Sequence, residues 1–496
     1  MTTHSRRRIL QLGGAAMLSS TGAFGQAHTM APDQSAPVAT QAGVKADHRI
    51  EIANSVVELG KDAAVSTKTY NGQFPGPLLR MTEGKPVTID IHNNTDTPEQ
   101  IHWHGQFLSP DVDGAAEEGT PFIPAGGMRR ISFTPGPSGF RFYHTHMLAG
   151  ADLSLGLYNG QAGPVYIEPR HEPGAYDREV FLTLKEFGAY FNHMEMMSGF
   201  LAPRNPVREL FDIDQVSIKA ARAKGLEPGY QVGFNFFSVN GRMLGEGDPI
   251  RVKAGERVLF HVLNASASAN RSLALPGHVF KVVALDGNPV PVPAEVPVLW
   301  LGPAERISAI VEMKAPGVWT MADLDTEART RGMGIVVEYA GQNGKPQWVA
   351  PDKFFWDYRI FAKRGATAQP PDETIEMIFG TQYSAQNGFD IFTINGAAFS
   401  MTSMEPKFRL RFGKRYRIKM RNATDDVHPI HLHRHSFELT SFGGVPTAGV
   451  IKDVVMIGGF EEMTIDFTAD QRGLSLFHCH MQPHMDFGFM ALFDCA

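Results

Sequence analysis

Cysteine is scarce in this chain: Cys479 and Cys495 are the only two in 496 residues, so at most one disulfide can form and a disulfide-built scaffold is excluded. No run of apolar residues is long enough to span a bilayer, so no membrane insertion is expected. Charge of one sign is lacking too, since 46 Lys and Arg stand against 52 Asp and Glu for a net −6. That balance gives no reason to expect nucleic acid or an anionic membrane as a partner. Helical periodicity is rare, and its best stretch, "PVRELFDIDQVSIKAARAKGL" at 206–226, reads as a surface insertion. A chain of this length, at roughly 150 residues per domain, divides into about three domains, and the shortage of helix makes them β domains.

The N-terminal "MTTHSRRRILQLGGAAMLSSTGAFGQA" places Arg6 and Arg7 before a modest apolar stretch and then small residues ending near Ala27. This order reads as a twin-arginine export signal over 1–27, followed by an Ala, Pro, Gln and Thr leader over 28–46. A disordered basic tail is the alternative. Export places the mature protein in the periplasm, where a Cys479–Cys495 bridge is one reading, although the ligand-type residues around Cys479 argue against it.

A threefold repeat organises the rest. "EGKPVTIDIHNNT" from Glu83, "AGERVLFHVLNAS" from Ala254 and "FGKRYRIKMRNAT" from Phe412 share Gly, alternating apolar residues, and Asn nine positions after the Gly. Each is preceded by an Asn-Gly pair, at Asn71, Asn240 and Asn395. Alternation of period two between turn residues is strand chemistry. The second and third copies keep register at a shift near 157, from Gly255 with Gly413 to Gly332 with Gly488. The expected organisation is three Greek-key β-sandwich domains of one fold at 47–172, 173–345 and 346–496.

Histidines fall at matching places in the outer two copies. The first carries "HWHG" (His102, His104) and "YHTH" (His144, His146) where the third carries "HPIHLH" (His428, His431, His433) and "FHCH" (His478, Cys479, His480). The middle copy has Arg271, Ala274, Pro276 and then Ala322, Asp323, Leu324. On a strand, residues two apart face the same side about 7 Å apart, so each H-x-H pair presents two imidazoles to one cavity. Four such pairs offer eight imidazoles, too many for one metal and suited to a cluster of three. The Cys479 thiol points the opposite way, toward His484 and His428. Two imidazoles and a thiolate make a trigonal blue-copper arrangement.

These four motifs, in this order and spacing, resemble the three-domain, laccase-like multicopper oxidases, and the resemblance extends over nearly the whole mature chain. It implies cupredoxin-like domains and four copper ions. His428, Cys479 and His484 would be type 1 ligands, His102 and His431 type 2 ligands, and His104, His144, His146, His433, His478 and His480 would hold the type 3 pair. The implied reaction is one-electron oxidation of phenols or aromatic amines, a benzenediol:oxygen oxidoreductase activity, coupled to reduction of O2 to water. A monomer is expected, with O2 and small aromatic reductants or metal ions as its partners.

Departures from the family pattern carry their own expectations. The axial type 1 position, ten residues after the cysteine, is Phe489; Met490 should face the other way along the strand, so a three-coordinate copper of relatively high potential is expected. A backbone or water oxygen in the axial place is the alternative. Asp113 stands where similar enzymes place an acid near the type 2 copper, although "DG" alone also reads as a turn. Met485 replaces the Glu that many bacterial relatives carry after this histidine, with Asp486 next. His435 reads as a packing residue or a support behind a ligand rather than a ligand itself, and His92, His261 and His278 as structural or exposed residues. Met194, Met196 and Met197 could bind cuprous ions but suit apolar packing better. Two rivals to a phenol oxidase follow: a periplasmic cuprous or metal-ion oxidase in copper tolerance, and a copper-free envelope or division scaffold of the same fold.

Overall fold

The computed structural model describes residues 45–169, 175–192 and 229–496. The expected export signal, most of the leader, the helical insertion at 206–226 and Met194, Met196 and Met197 lie outside the described residues. Strands dominate and pair into six sheets, two per cupredoxin-like domain. Strands between His48 and Glu168 form the first pair of sheets, those between Arg178 and Tyr339 the second, and those between Glu373 and Cys495 the third.

The second and third pairs share one topology strand for strand: a six-stranded sheet against a five-stranded one, in the same spatial order. The first pair keeps eight of these strands in two four-stranded sheets. The three Asn-Gly pairs take φ values of 54° and 73°, 53° and 73°, and 53° and 76°, the left-handed pair that a two-residue hairpin turn requires. The Asn71 side chain also accepts from Glu51 N and donates to Arg49 O, with Asn240 and Asn395 doing the same to Thr183 and Phe181 and to Ile378 and Glu376. The recurrent Asn at each strand end is a second pin. Asn93, Asn264 and Asn422 each accept from the backbone N two residues on and donate to carbonyls of two other segments.

Burial explains where alternation fades. Val87–Asn93 and Arg415–Asn422 bury every second residue, as one-sided sheets do, whereas Arg257–Asn264 in the middle domain is buried on both faces. Its second face meets the first domain: Leu263 joins Phe140, Phe142 and Tyr166 in one apolar cluster. His261 sits in this seam, stacked 4.6 Å from Phe181, with Tyr166 and Phe140 at 5.0 and 5.3 Å. Its Nδ1 bonds Ser308 Oγ at 2.8 Å, and Nε2 lies 3.6 Å from Glu179.

Burial first, and then the Arg80 charge, lower the His261 pKa to about 3, against a smaller opposing effect of Glu168. In the unfolded chain the same imidazole takes a proton below its ordinary 6.5. Its contribution is therefore intact above pH 6.5 and is lost on acidification, by about 1.4 kcal/mol per pH unit between about pH 6 and 4. His261→Phe keeps the stacked ring and removes the titration. Denaturant midpoints measured from pH 7 to 4 are expected to fall less steeply for the variant than for the wild type; parallel curves refute this.

Register also fixes the metal-type residues. His102 pairs with His144 across the first domain's sheet, and His431 with His478 across the third's. The equivalent middle pair is Ala274 with Ala322, and where the third domain has His428 and Cys479 the middle one has Arg271 and Asp323, 3.8 Å apart. The same backbone thus carries ligand-type side chains at both ends and small or ion-paired ones between.

Candidate metal centre

The carboxyl-side strand Gly473–Cys479 ends in the thiol, and a one-turn helix, Gln482–Asp486, begun by Pro483 in its first turn, folds His484 back onto it. Cys479 Sγ lies 3.6 Å from His428 Nδ1 and 3.4 Å from His484 Nδ1, and the two nitrogens are 3.1 Å apart. All three groups are buried, with His484 alone keeping some exposure, 7% against none for His428 and Cys479. Both cysteines are free thiols; Cys495 contacts Ala469 O rather than Cys479.

The hydrogen bonds decide which nitrogens carry lone pairs. Thr424 donates its hydroxyl proton to Asn422 Oδ1 at 2.7 Å, so Thr424 Oγ1 must accept from His428 Nε2 at 2.8 Å. His428 is therefore protonated at Nε2 and turns its Nδ1 lone pair toward Cys479. The recurrent Asn of the repeat has here gained a second task.

Phe489 packs on this group. Its ring is 4.8 Å from that of His428 and 4.8 Å from Phe379, its carbonyl accepts from Cys479 N, and its N donates to His484 O. Met490 belongs to a separate cluster with Leu476, Met485 and Leu492. Outward from His484, Phe392 lies 4.1 Å away, and Phe389 stacks on Phe487 at 4.4 Å.

The eight remaining imidazoles meet between the first and third domains. His104, His144 and His480 converge in one group, His146, His433 and His478 in a second, and His102 lies with His104 and His431 in a third. Nδ1 of His102, His144 and His431 donates to the carbonyls of Asp113, Thr145 and Asp453, which leaves each Nε2 without a protein partner. His104 is turned the other way: Nε2 meets the Asp453 carboxylate at 3.2 Å and Nδ1 is left free.

A proton count shows that these groups fit cations. His433 Nδ1 donates to Asp113 Oδ2 at 2.9 Å and His478 Nδ1 donates to Cys479 O at 2.9 Å. Burial, the largest cause, depresses both imidazoles, His478 to about 3, so neither carries a second proton near neutrality. Their Nε2 atoms nevertheless face each other at 3.0 Å, two lone pairs with nothing between. Only a positive ion resolves such contacts, and imidazole nitrogens with a thiolate suit copper.

Asp113 ends the short helix Pro110–Asp113, turning through Gly114 at φ 103°, and its carboxylate reaches His433 and, at 3.1 Å, His102. Of the residues left outside the site, His435 donates Nδ1 to His433 O at 3.0 Å, supporting a cluster histidine, and His278 bonds Pro276 O. Asp486 holds the Gln482–Asp486 helix to the first domain through Ala149 N and Gly150 N.

Several residues here carried no sequence signal. Glu117 lies 3.6 Å from His146, with its carboxyl raised by burial to about 7, and Glu118 lies 3.3 Å from His433, raised by burial and by Asp113. Asp453 is wholly buried with Arg141 of the first domain and Arg306 of the middle one. Thr424 gave only the faint signal of closing an Asn-x-Thr triplet.

Family models for multicopper oxidases match residues 51–172, 209–339 and 369–495. The chain is 29% identical to the multicopper oxidase MmcO of Mycobacterium tuberculosis over 87% of its length and 83% of the relative's. It is 26% identical to laccase-4 of Thanatephorus cucumeris, over 83% and 82%. Among solved structures, the iron-import oxidase Fet3p superposes with a TM-score of 0.71 at 19% identity, over 90% of each chain. A multicopper oxidase of Pseudomonas thermotolerans gives 0.67 at 24%, over 91% of this chain and all of the other. With copper-fitted groups lodged in and between its outer domains and a family match on all three, the chain belongs to the multicopper oxidase family, oxidoreductases that bind four copper ions.

Proposed function

We propose that this protein is a laccase-like oxidase that removes single electrons from phenols or aromatic amines beside His484 and uses them to reduce O2 between the outer domains. The observation that carries the reading is the group of Cys479, His428 and His484, with Phe392 packed 4.1 Å from the ring of His484, its least buried member. Copper supplies the one-electron cycling that neither phenols nor O2 can manage with side chains alone.

The chain's own residues set the rest. His428, Cys479 and His484 are assigned as type 1 ligands, His102 and His431 as type 2, and His104, His144, His146, His433, His478 and His480 as type 3. His484, with its residual exposure, is the edge that a reductant reaches. Cys479 is bonded on one side to His478 and on the other to His480, one from each three-histidine group, and its carbonyl holds the His478 proton. Covalent paths thus leave the thiolate for both groups, and a hydrogen-bonded one for the group of His478. Asp113 orients His433 and His102 through their Nδ1 protons, and Glu117 and Glu118 place carboxyl groups beside His146 and His433, where O2 reduction consumes protons.

Phe489 offers no ligand atom and fills the space against His428, which favours a strongly oxidising type 1 copper. Phe489→Met is expected to lower that potential in a redox titration and to slow oxidation of the least reducing phenols most. An unchanged or raised potential defeats the assignment.

A metal-ion oxidase is the second reading. Asp426 stands close enough to Cys479 to help raise its thiol pKa, after the larger effect of burial, and Tyr383 bonds Asp425, so an acidic edge adjoins the aromatic one. A relative named copper resistance protein A supports this second reading. Steady-state rates of the copper-loaded protein with a substituted phenol and with Cu(I) separate the readings. Faster phenol oxidation is expected; turnover with Cu(I) alone sinks the first reading, and turnover with neither sinks both. For residues 1–27, read as a twin-arginine signal, N-terminal sequencing of periplasmic protein is expected to begin after Ala27.

A further inference from the structure

The middle domain holds no metal-type cluster among its described residues, yet one of its arginines reaches a histidine of the cluster through a single carboxylate. We propose that Asp453, gripped by Arg306, is the positioning residue that decides which nitrogen of His104 faces the cluster, so that the copper-free domain sets the geometry of the oxygen site. The inference rests on the ligand roles assigned above.

Both oxygens of Asp453 are spoken for. Oδ1 accepts from Arg306 NH1 at 2.6 Å and His104 Nε2 at 3.2 Å, while Oδ2 accepts from Arg306 NH2 at 2.6 Å and Arg141 NH1 at 3.0 Å. A carboxylate forked by one guanidinium and touched by a second is an acceptor only. His104 must therefore protonate Nε2 and offer Nδ1, the opposite of His102, His144 and His431. The backbone oxygen of the same Asp453 holds His431 Nδ1 at 2.7 Å, and the rings of His104 and His431 stack at 3.8 Å. One residue thus orients ligands from both outer domains.

The middle domain fixes that residue from two sides. Arg306 is itself held by the carbonyls of Ala304 and Asp286, and the Asp286 carboxylate accepts from Asp453 N and Val454 N. The glycine of "HWHG" belongs to the same device. A Cβ on Gly105, already at φ 79°, would lie 2.6 Å from Asp453 Oδ2 and 2.8 Å from Arg306 NH2. A plain ionic staple between domains would need none of this alignment with His104.

The test compares Asp453→Asn and Arg306→Lys with wild type and with Arg417→Met, which breaks an Arg–Asp fork of similar geometry, Arg417 with Asp466, that touches no histidine. Arg306→Lys keeps the buried positive charge and guards against loss of folding. Copper per chain, the paramagnetic type 2 signal and the near-ultraviolet type 3 band are read against the blue type 1 band, alongside thermal midpoints. Weakened support of a ligand lowers metal affinity about ten- to a hundredfold. Copper titrations of both variants are therefore expected to show that loss at the cluster alone, with the blue band unchanged and Arg417→Met altering only the midpoint. Equal loss of all coppers, or unaltered spectra with lowered midpoints, overturns the proposal. Wild type without type 2 and type 3 signals overturns the ligand assignment instead.

Discussion

Cys479→Ser is expected to remove the blue absorption and bring turnover with phenols to the detection limit, while copper content falls from four ions per chain to three. A hydroxyl is a hard, poorly ionised donor, and it cannot replace a thiolate between two imidazoles. The cluster at the domain interface meets Cys479 only through its backbone, by the peptide bonds to His478 and His480 and by the carbonyl, all of which Ser retains, so the His478 bond at 2.9 Å survives and the other three sites persist. Without copper, Ser costs about 1–3 kcal/mol as a buried hydroxyl if it finds no partner. Absorption spectroscopy, metal analysis and oxygen uptake on one preparation check all three outcomes. Persisting turnover with phenol defeats the assigned electron entry, and loss of every copper defeats the independence of the two centres.

Gly114→Ala should have the largest effect on folding. At φ 103° a side chain is strained, and here the added Cβ would lie 1.9 Å from Ile101 O and 2.5 Å from His102 Cα. Strain of roughly 2 kcal/mol and overlap of roughly 2 kcal/mol give about 4 kcal/mol, a large share of a typical domain's stability. The displaced backbone is that of Ile101 and His102, and the Asp113 carbonyl that accepts from the His102 ring Nδ1 moves as well. A lower urea midpoint together with a weakened type 2 signal is expected. A variant as stable as wild type refutes the close approach.

The metal-type residues were legible because ligand chemistry is local in sequence. An H-x-H pair on a strand states its own face, and three copies of one unit showed which pairs were extra. Phe489 and Met490 could be told apart by strand alternation, and the structure sets them on different clusters. Asp113 was legible only as one of two meanings, a turn or a functional carboxylate, because nothing in "DG" records that the turn ends against His102. Asp453, Arg306 and Arg141 were invisible for a physical reason. Each comes from a different domain, and a buried ion pair leaves no periodicity in any one of the strands that contribute to it. Their meaning lies in contacts hundreds of residues apart, Arg141 to Asp453 among them.

The pairing of Ala274 with Ala322 at the place of His431 and His478 bears on how this enzyme matures. The middle copy closes the same two sheets around small side chains, so this architecture completes itself without any ion to nucleate it. The outer copies, built on the same backbone, are therefore expected to fold before copper is bound, and refolding the apoprotein and then loading it with copper checks this.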